Sequence, residues 1–366
     1  MTSLDESWWA QILGGPECDL HVTSSTEQYV VLPRASEPRV VVDNGDPQAL
    51  RDAVTRFVEN RIGSAAAPIA GGASAFLSRR RPTWGVSSAG LTLREHLSDL
   101  LGREVRLSIA VGPSRPNRKP VVRCYADSQL AAVAKMGPDP HTAEMVKNEG
   151  HWLRRLQDEP LDGILTPELL HQGSFGTSEL VLMAPLNLSS EAPMLLEDVP
   201  MRATTQFAER FATTDSLLVS PWWEALQGRL QVTGLERFAE VADKLVEAGD
   251  IDELAVSGWH GDWSPWNMTR MDDGTLGLWD WERAGTGVPT GLDLLHLHYQ
   301  YGDGLEGATP TLRAIDVSSD HQRLLELIYL LELAARHAEA GVLGSERQTG
   351  VEQTLTRLAG PRNGIS

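Results

Sequence analysis

Apolar positions fall into two regimes along the chain. Up to about residue 186 they come as short Val- and Leu-rich runs bounded by Pro and Gly, and beyond it they recur at the three- and four-residue spacing of helices. The runs Gln28–Leu32 and Arg39–Val42, separated by Pro33 and Pro38, predict two strands. Asp46-Pro47 then opens a helix to Val58, with Asp46 as N-cap and Pro47 at the first helical position, where its missing N–H costs nothing. Gly63 to Gly90 is rich in Ala, Gly and Ser around Arg79-Arg80-Arg81 and predicts a loop or linker. Thr92 with Glu95 forms a capping box for a helix over Leu93–Leu101. Strands follow at Val105–Val111, Val121–Ala126 and Leu130–Met136, a helix at His141–Gln157, and strands at Glu168–His171 and Glu179–Met183. Helices are then expected over Met201–Thr213, Trp222–Leu230, Leu235–Ala248, from Gly291, over Asp320–Ala340 and over Val351–Leu358.

Length and charge narrow the picture. A chain of 366 residues exceeds the usual single domain and predicts two lobes. Net charge −18, from 32 basic against 50 acidic residues, argues against a nucleic-acid surface and favours a cationic substrate. Cys18 and Cys124 make no metal or redox spacing. The start, MTSLDESWWAQILGG, carries acids where a signal peptide needs a basic and then an apolar segment, and no stretch is long and apolar enough for a membrane span. A cytoplasmic protein with no membrane partner is the expectation.

The chemistry concentrates between Ser257 and Asp293. His260-Gly261-Asp262 is followed five residues on by Asn267 and thirteen later by Asp280, within Leu278-Trp279-Asp280-Trp281-Glu282. Moving a γ-phosphoryl group needs a carboxylate beside the attacking hydroxyl and hard oxygen ligands for Mg²⁺. Asp262 suits the first task, and Asn267 and Asp280 the second. Asn267–Arg270 and Gly277–Asp280 read as strands joined by Asp272-Asp273-Gly274, a hairpin that turns both ligands toward one ion.

This pattern, HGDxxxxN followed by a hydrophobic-Asp-aromatic-Glu segment, resembles the aminoglycoside phosphotransferase and choline kinase family of protein-kinase-like small-molecule kinases. The resemblance implies an α+β, bilobal protein-kinase-like fold. The segments expected are an N-terminal α/β segment and linker (1–90), a β-rich N-lobe (91–186) and a mainly helical C-lobe (187–366). It implies ATP, with GTP as an alternative, together with Mg²⁺ and a small-molecule hydroxyl acceptor. The loop Gly112–Pro120 corresponds to the family's phosphate-covering loop, with Ser114 a candidate contact, although one glycine and three prolines depart from a glycine-rich pattern. Met183 and Ala184 precede Pro185 where the family's hinge holds adenine through its backbone, and Pro185 has no N–H to donate. Asp293 corresponds to an aspartate that braces the catalytic loop, and Glu282 to an acid that can reach a second metal.

Lys135 lies among apolar residues on an expected buried strand, a costly place for an ammonium unless it is neutralised. The following helix offers Glu144 and Glu149. Glu149 shares the apolar stripe of Met145, Trp152 and Leu156 and is taken as the partner. His260 is expected to shape the loop. Trp263 and Trp266 are candidates for one wall of the acceptor site, with Trp279 and Trp281 sharing a strand face opposite Asp280. His296 and His298 match no ligand pair and read as packing residues. Two other functions fit part of the pattern: a nucleotide-binding scaffold without transfer activity, and a carbohydrate-binding or metal-dependent hydrolytic protein.

Overall fold

The structure is a computed structural model that describes residues 6–23, 29–34, 37–62, 83–112, 118–186, 194–302 and 304–359. The architecture is α+β, in two compact units. One comprises Met1–Arg154 with Pro167–Pro185, the other Arg155–Thr166 with Leu186–Ser366.

The first unit carries β1 (Cys18–Thr23), β2 (Tyr29–Arg34), β3 (Glu37–Asp43), β4 (Thr83–Ser88), β5 (Arg106–Val111), β6 (Pro120–Ala126), β7 (Gln129–Gly137), and, after β8 (Ile164–Leu165) of the other unit, β9 (Leu169–Phe175) and β10 (Ser178–Met183). They form one antiparallel nine-stranded sheet, ordered β1-β4-β2-β3-β5-β6-β7-β10-β9. The seam between the first ninety residues and the rest is β3 on β5, with Val40, Val41 and Val42 opposite Ala110, Ile109 and Ser108.

Both faces of this sheet are covered, which explains why Val40-Val41-Val42 is continuous rather than alternating. Val40 and Val42 pack on Ala49, Leu50, Ala53 and Val54 of the helix Pro47–Ile62, whose N-cap Asp46 accepts from the N–H groups of Gln48 and Ala49 at 2.7 and 3.1 Å. Val41 points to the other core, with Trp9, Ile12, Trp84, Leu93 and Leu97. Leu93–Leu101 is helical behind the Thr92–Glu95 capping box.

Residues 83–88, expected within a linker, are strand β4. Trp84 is fully buried there, and burying so large a side chain, worth roughly 1.5–3 kcal/mol, outweighs the loop-forming composition around it. The helix Glu6–Gly14 and strand β1 are further elements that periodicity did not signal.

The second unit is mainly helical. Its core gathers Trp223 and Leu226 from the helix Pro221–Leu230, Phe238 from Glu236–Ala248, Leu295 from Leu292–Tyr301, and Ile328 and Leu331 from Ser319–Glu339. Residues 325–335 of that last helix are buried all round, Glu326 and Glu332 included. Set among the helices are β8 (Ile164–Leu165), β11 (Val256–Trp259), β12 (Met268–Arg270), β13 (Leu276–Leu278) and β14 (Gly285–Pro289), with β11 pairing β14 and the order β12-β13-β8. Among the described residues no helix is long and apolar enough to cross a membrane.

Candidate active site

Strand β11 ends at Trp259, and the chain then turns through His260–Trp266 before re-entering β12. The hairpin β12–β13 sets Met268 opposite Leu278 and so brings Asn267 near Trp279, whose N–H donates to the Asn267 carbonyl at 3.0 Å.

Asp262 is the best-held acid in this loop. Its Oδ1 accepts from Ser264 Oγ at 2.6 Å and lies 3.0 Å from His296 Nε2, while Oδ2 accepts from Asn267 Nδ2 at 2.9 Å. Burial alone would raise its pKa. The donors from His296 and Ser264 and the charge of Arg336 more than reverse this and hold the carboxyl well below the usual carboxylate range. Its side chain nevertheless keeps 26% exposure, so an ionised carboxylate faces solvent.

The loop is fixed from behind by Asp293, in the first turn of Leu292–Tyr301. Its two oxygens accept the N–H groups of His260 at 2.6 Å and Gly261 at 3.0 Å. Burial pushes the Asp293 pKa up to about 6 against these two bonds, which leaves it ionised at neutral pH. His260 is fully buried, and desolvation lowers its pKa to about 4. Neutral His260 has one N–H. With Nδ1 accepting from Asp262 N at 3.2 Å, that hydrogen sits on Nε2 and reaches the Trp279 carbonyl at 3.1 Å. The ring also packs edge-on to Trp281, with centroids 4.5 Å apart. Arg336 completes the support by donating to the Gly261 carbonyl at 2.7 Å, and buried Glu332 holds Arg336 and Arg229 at 2.7 Å each.

Asp280 follows β13 with φ +71° and ψ 54°, a left-handed conformation that costs most non-glycine residues 1–2 kcal/mol, to order of magnitude, and that aspartate tolerates better than most. A 3-10 turn over Trp281–Arg283 comes next. The strand therefore stops at Leu278, and the expected alternation of Trp279 and Trp281 opposite Asp280 does not occur. Trp281 is buried under the loop, its Nε1 donating to the Leu278 carbonyl at 3.2 Å. The same twist brings one carboxylate oxygen of Asp280 within 4.8 Å of one of Glu282. Asn267 spends its Nδ2 hydrogens on Asp262, on the backbone carbonyl at 3.0 Å and on Oδ2, which leaves Oδ1 as the atom with acceptor capacity. These are hard oxygen donors, of the kind that suits Mg²⁺.

In the first unit Lys135 on β7 donates to Glu149 Oε1 at 2.7 Å, both side chains being largely buried. Glu144 pairs instead with Lys147 at 3.1 Å on the helix surface. Met183 ends β10 beside a bulge. The Ala184 N–H donates to the Glu168 carbonyl at 2.8 Å, so Ala184 has no N–H left for adenine, contrary to the expectation that it could donate, and it can contribute only its carbonyl. Ser114 lies outside the described residues.

No protein-family model and no curated protein matches the chain. Solved structures do match. Choline kinase LicA from Streptococcus pneumoniae is similar at TM-score 0.52 and 15% identity, over 73% of this chain and 97% of that one. A thermostable mutant of aminoglycoside phosphotransferase APH(4)-Ia, in ternary complex with ADP and hygromycin B, is similar at 0.51 and 11%, over 74% and 99%. LicA in complex with AMP gives 0.50 and 14%, over 73% and 95%. The fold is that of the protein-kinase-like small-molecule kinases.

Within this small-molecule kinase fold, sequence reasoning missed four residues around Asp262. Ser264 and Arg336 carry no motif, and Tyr329 lies far along the chain. His296, expected to pack, sets its ring against Asp262. The signal was its position three residues after Asp293, which sets both on one face of the helix. His298 is buried on the same helix. Of the two candidate acceptor-site tryptophans, Trp263 is fully buried and edge-on to His260, while Trp266 is 52% exposed. Of the two, Trp266 is the one with an exposed ring.

Proposed function

We propose that the protein is an ATP-dependent phosphotransferase that moves the γ-phosphoryl group to a hydroxyl of a small molecule, with GTP as an alternative donor. The observation that carries this is the ionised, partly exposed Asp262 carboxylate, oriented by three side-chain donors. Asp262 would orient the acceptor hydroxyl and take its proton, a step that contributes on the order of 10²–10⁴-fold. Lys135, held by Glu149, would meet the phosphates, and Met183 with the Ala184 carbonyl would meet the base. Asn267, Asp280 and Glu282 would hold Mg²⁺, which when bound neutralises charge developing on the phosphates. His260 and Asp293 keep the loop in shape, and Trp266 would wall the acceptor.

The acceptor class is an aminoglycoside, an amino alcohol or a sugar-like metabolite. Support comes from the likeness to LicA, a choline kinase, and to an aminoglycoside phosphotransferase solved with ADP and hygromycin B. Calorimetric titration of ATP tests the donor half of this reading. Binding should require Mg²⁺ and weaken about 10- to 100-fold in Lys135→Met and in Asp280→Asn, the worth of one charge-assisted contact. Equal binding by wild type and both variants would contradict it.

A further inference from the structure

Asp262 can accept about four hydrogen bonds, two on each oxygen. Oδ1 has both filled, by Ser264 at 2.6 Å and His296 at 3.0 Å. Oδ2 has one, from Asn267 at 2.9 Å. The carboxylate therefore has its remaining capacity on Oδ2.

What commits Oδ1 from behind is a buried relay of two side chains, His296 and Tyr329. The ionised carboxylate at 3.0 Å only accepts and outweighs the Gln300 amide nitrogen at 3.4 Å from the same atom, so the hydrogen of neutral His296 sits on Nε2. Nδ1 then carries the lone pair, and the Tyr329 hydroxyl, 3.1 Å away, must donate to it. Both residues are almost fully buried, and their rings stand edge to face with centroids 6.0 Å apart. Tyr329 lies on the helix whose Arg336 also grips the Gly261 carbonyl, so one rigid element reaches the loop at two points.

We infer that His296, anchored by Tyr329, is a positioning residue that turns the Asp262 carboxylate so that Oδ2 alone receives the acceptor hydroxyl. The role rests on the kinase reading above. In the step it serves, the hydroxyl proton passes to Oδ2 while the acceptor oxygen bonds to the γ-phosphorus. The bond from that phosphorus to the β–γ bridging oxygen breaks, and its electron pair leaves on the nucleoside diphosphate. His296 keeps its Nε2–H throughout, since its only basic atom faces Tyr329 and not Asp262.

Two measurements separate this role from the kinase reading itself. Long-range ¹H–¹⁵N spectra of histidine-labelled protein should show one imidazole, identified by its loss in His296→Gln, fixed as the Nε2–H tautomer at neutral pH. Tyr329→Phe should keep that tautomer, which Asp262 fixes, and shift the Nδ1 resonance as its donor is lost. An Nδ1–H tautomer for His296 would overturn the inference whether or not the protein is a kinase.

In transfer assays with MgATP and the acceptor found by screening, His296→Leu should lower kcat about 10- to 100-fold while KM for ATP stays within about twofold. His296→Gln, which retains an N–H donor, should recover part of the loss, with thermal unfolding midpoints confirming that both variants fold. An unchanged kcat in His296→Leu, or a Gln variant no better than Leu, would overturn the role. A wild type with the Nε2–H spectrum but no transfer to any acceptor would overturn the kinase reading and this role with it.

Discussion

At the residue scale, the site is built from acids whose charge is controlled by what surrounds them. Asp262 and Asp293 are both buried in large part, yet they are displaced in opposite directions. Asp262 gathers side-chain donors and stays ionised well into acid, whereas Asp293, with two backbone donors against full burial, titrates at about 6. We predict that kcat falls as pH drops through about 6, because a protonated Asp293 can no longer accept from both His260 and Gly261. In Asp293→Asn the rate should be lower and should lack this step, and a pH–rate profile retaining it would contradict the assignment. The stability signs differ from the activity sign. Asp293 binds its proton more tightly folded than unfolded, so the cost of its ionised form is present above about pH 6 and relieved below it. His260, lowered to about 4 from 6.5, contributes stability above 6.5 that is lost as pH falls toward 4. Sequence spacing singled out Asp262, Asn267, Asp280 and Lys135 because their chemistry is written in residue type. Ser264, His296 and Tyr329 could not be recovered the same way, since serine, histidine and tyrosine in apolar surroundings read as core until the fold brings them to one carboxylate.

At the element scale, the catalytic loop depends on close backbone approach. Gly261 has φ +82°, and a Cβ there would stand 2.5 Å from the Arg283 carbonyl oxygen, so no side chain fits without moving the 3-10 turn after Asp280. Under the proposed function, Gly261→Ala should therefore reduce transfer at least as severely as loss of one supporting hydrogen bond, about tenfold or more, with the affinity for ATP little changed. Steady-state kinetics beside ATP titration checks this, and wild-type kcat in that variant would refute it. The hairpin around Asp272-Asp273-Gly274 was legible because its turn chemistry is local. Its far end was not, because period-two alternation through Trp281 is interrupted by the left-handed Asp280, a conformation that the sequence pattern does not announce.

At the scale of the whole molecule, the first ninety residues supply four strands of the nine-stranded sheet. Composition suggested a segment followed by a linker, and the long-range pairing of β1 with β4 and of β3 with β5 has no local signature. Removing residues 1–90 would expose β5 as an edge and strip Trp9, Ile12, Leu13 and Trp84 from the core, each worth roughly 1.5–3 kcal/mol. Against a typical total stability of about 5–15 kcal/mol, that loss is decisive. A chain of residues 91–366 should fail to fold or should aggregate when expressed alone, as size-exclusion chromatography and circular dichroism would show. A monomeric, cooperatively folded fragment would contradict this.

The proposed role of Asp262 is to accept a proton during phosphoryl transfer from ATP. It is tested most directly by incubating the protein with MgATP or MgGTP and a panel of aminoglycosides, amino alcohols, amino sugars and neutral sugars, in parallel with Asp262→Ala. One phosphorylated acceptor class is expected with the wild type, and a loss of about 10²–10⁴-fold in the variant. Product formed equally well by Asp262→Ala, or tight MgATP binding with transfer to nothing in the panel, would contradict it.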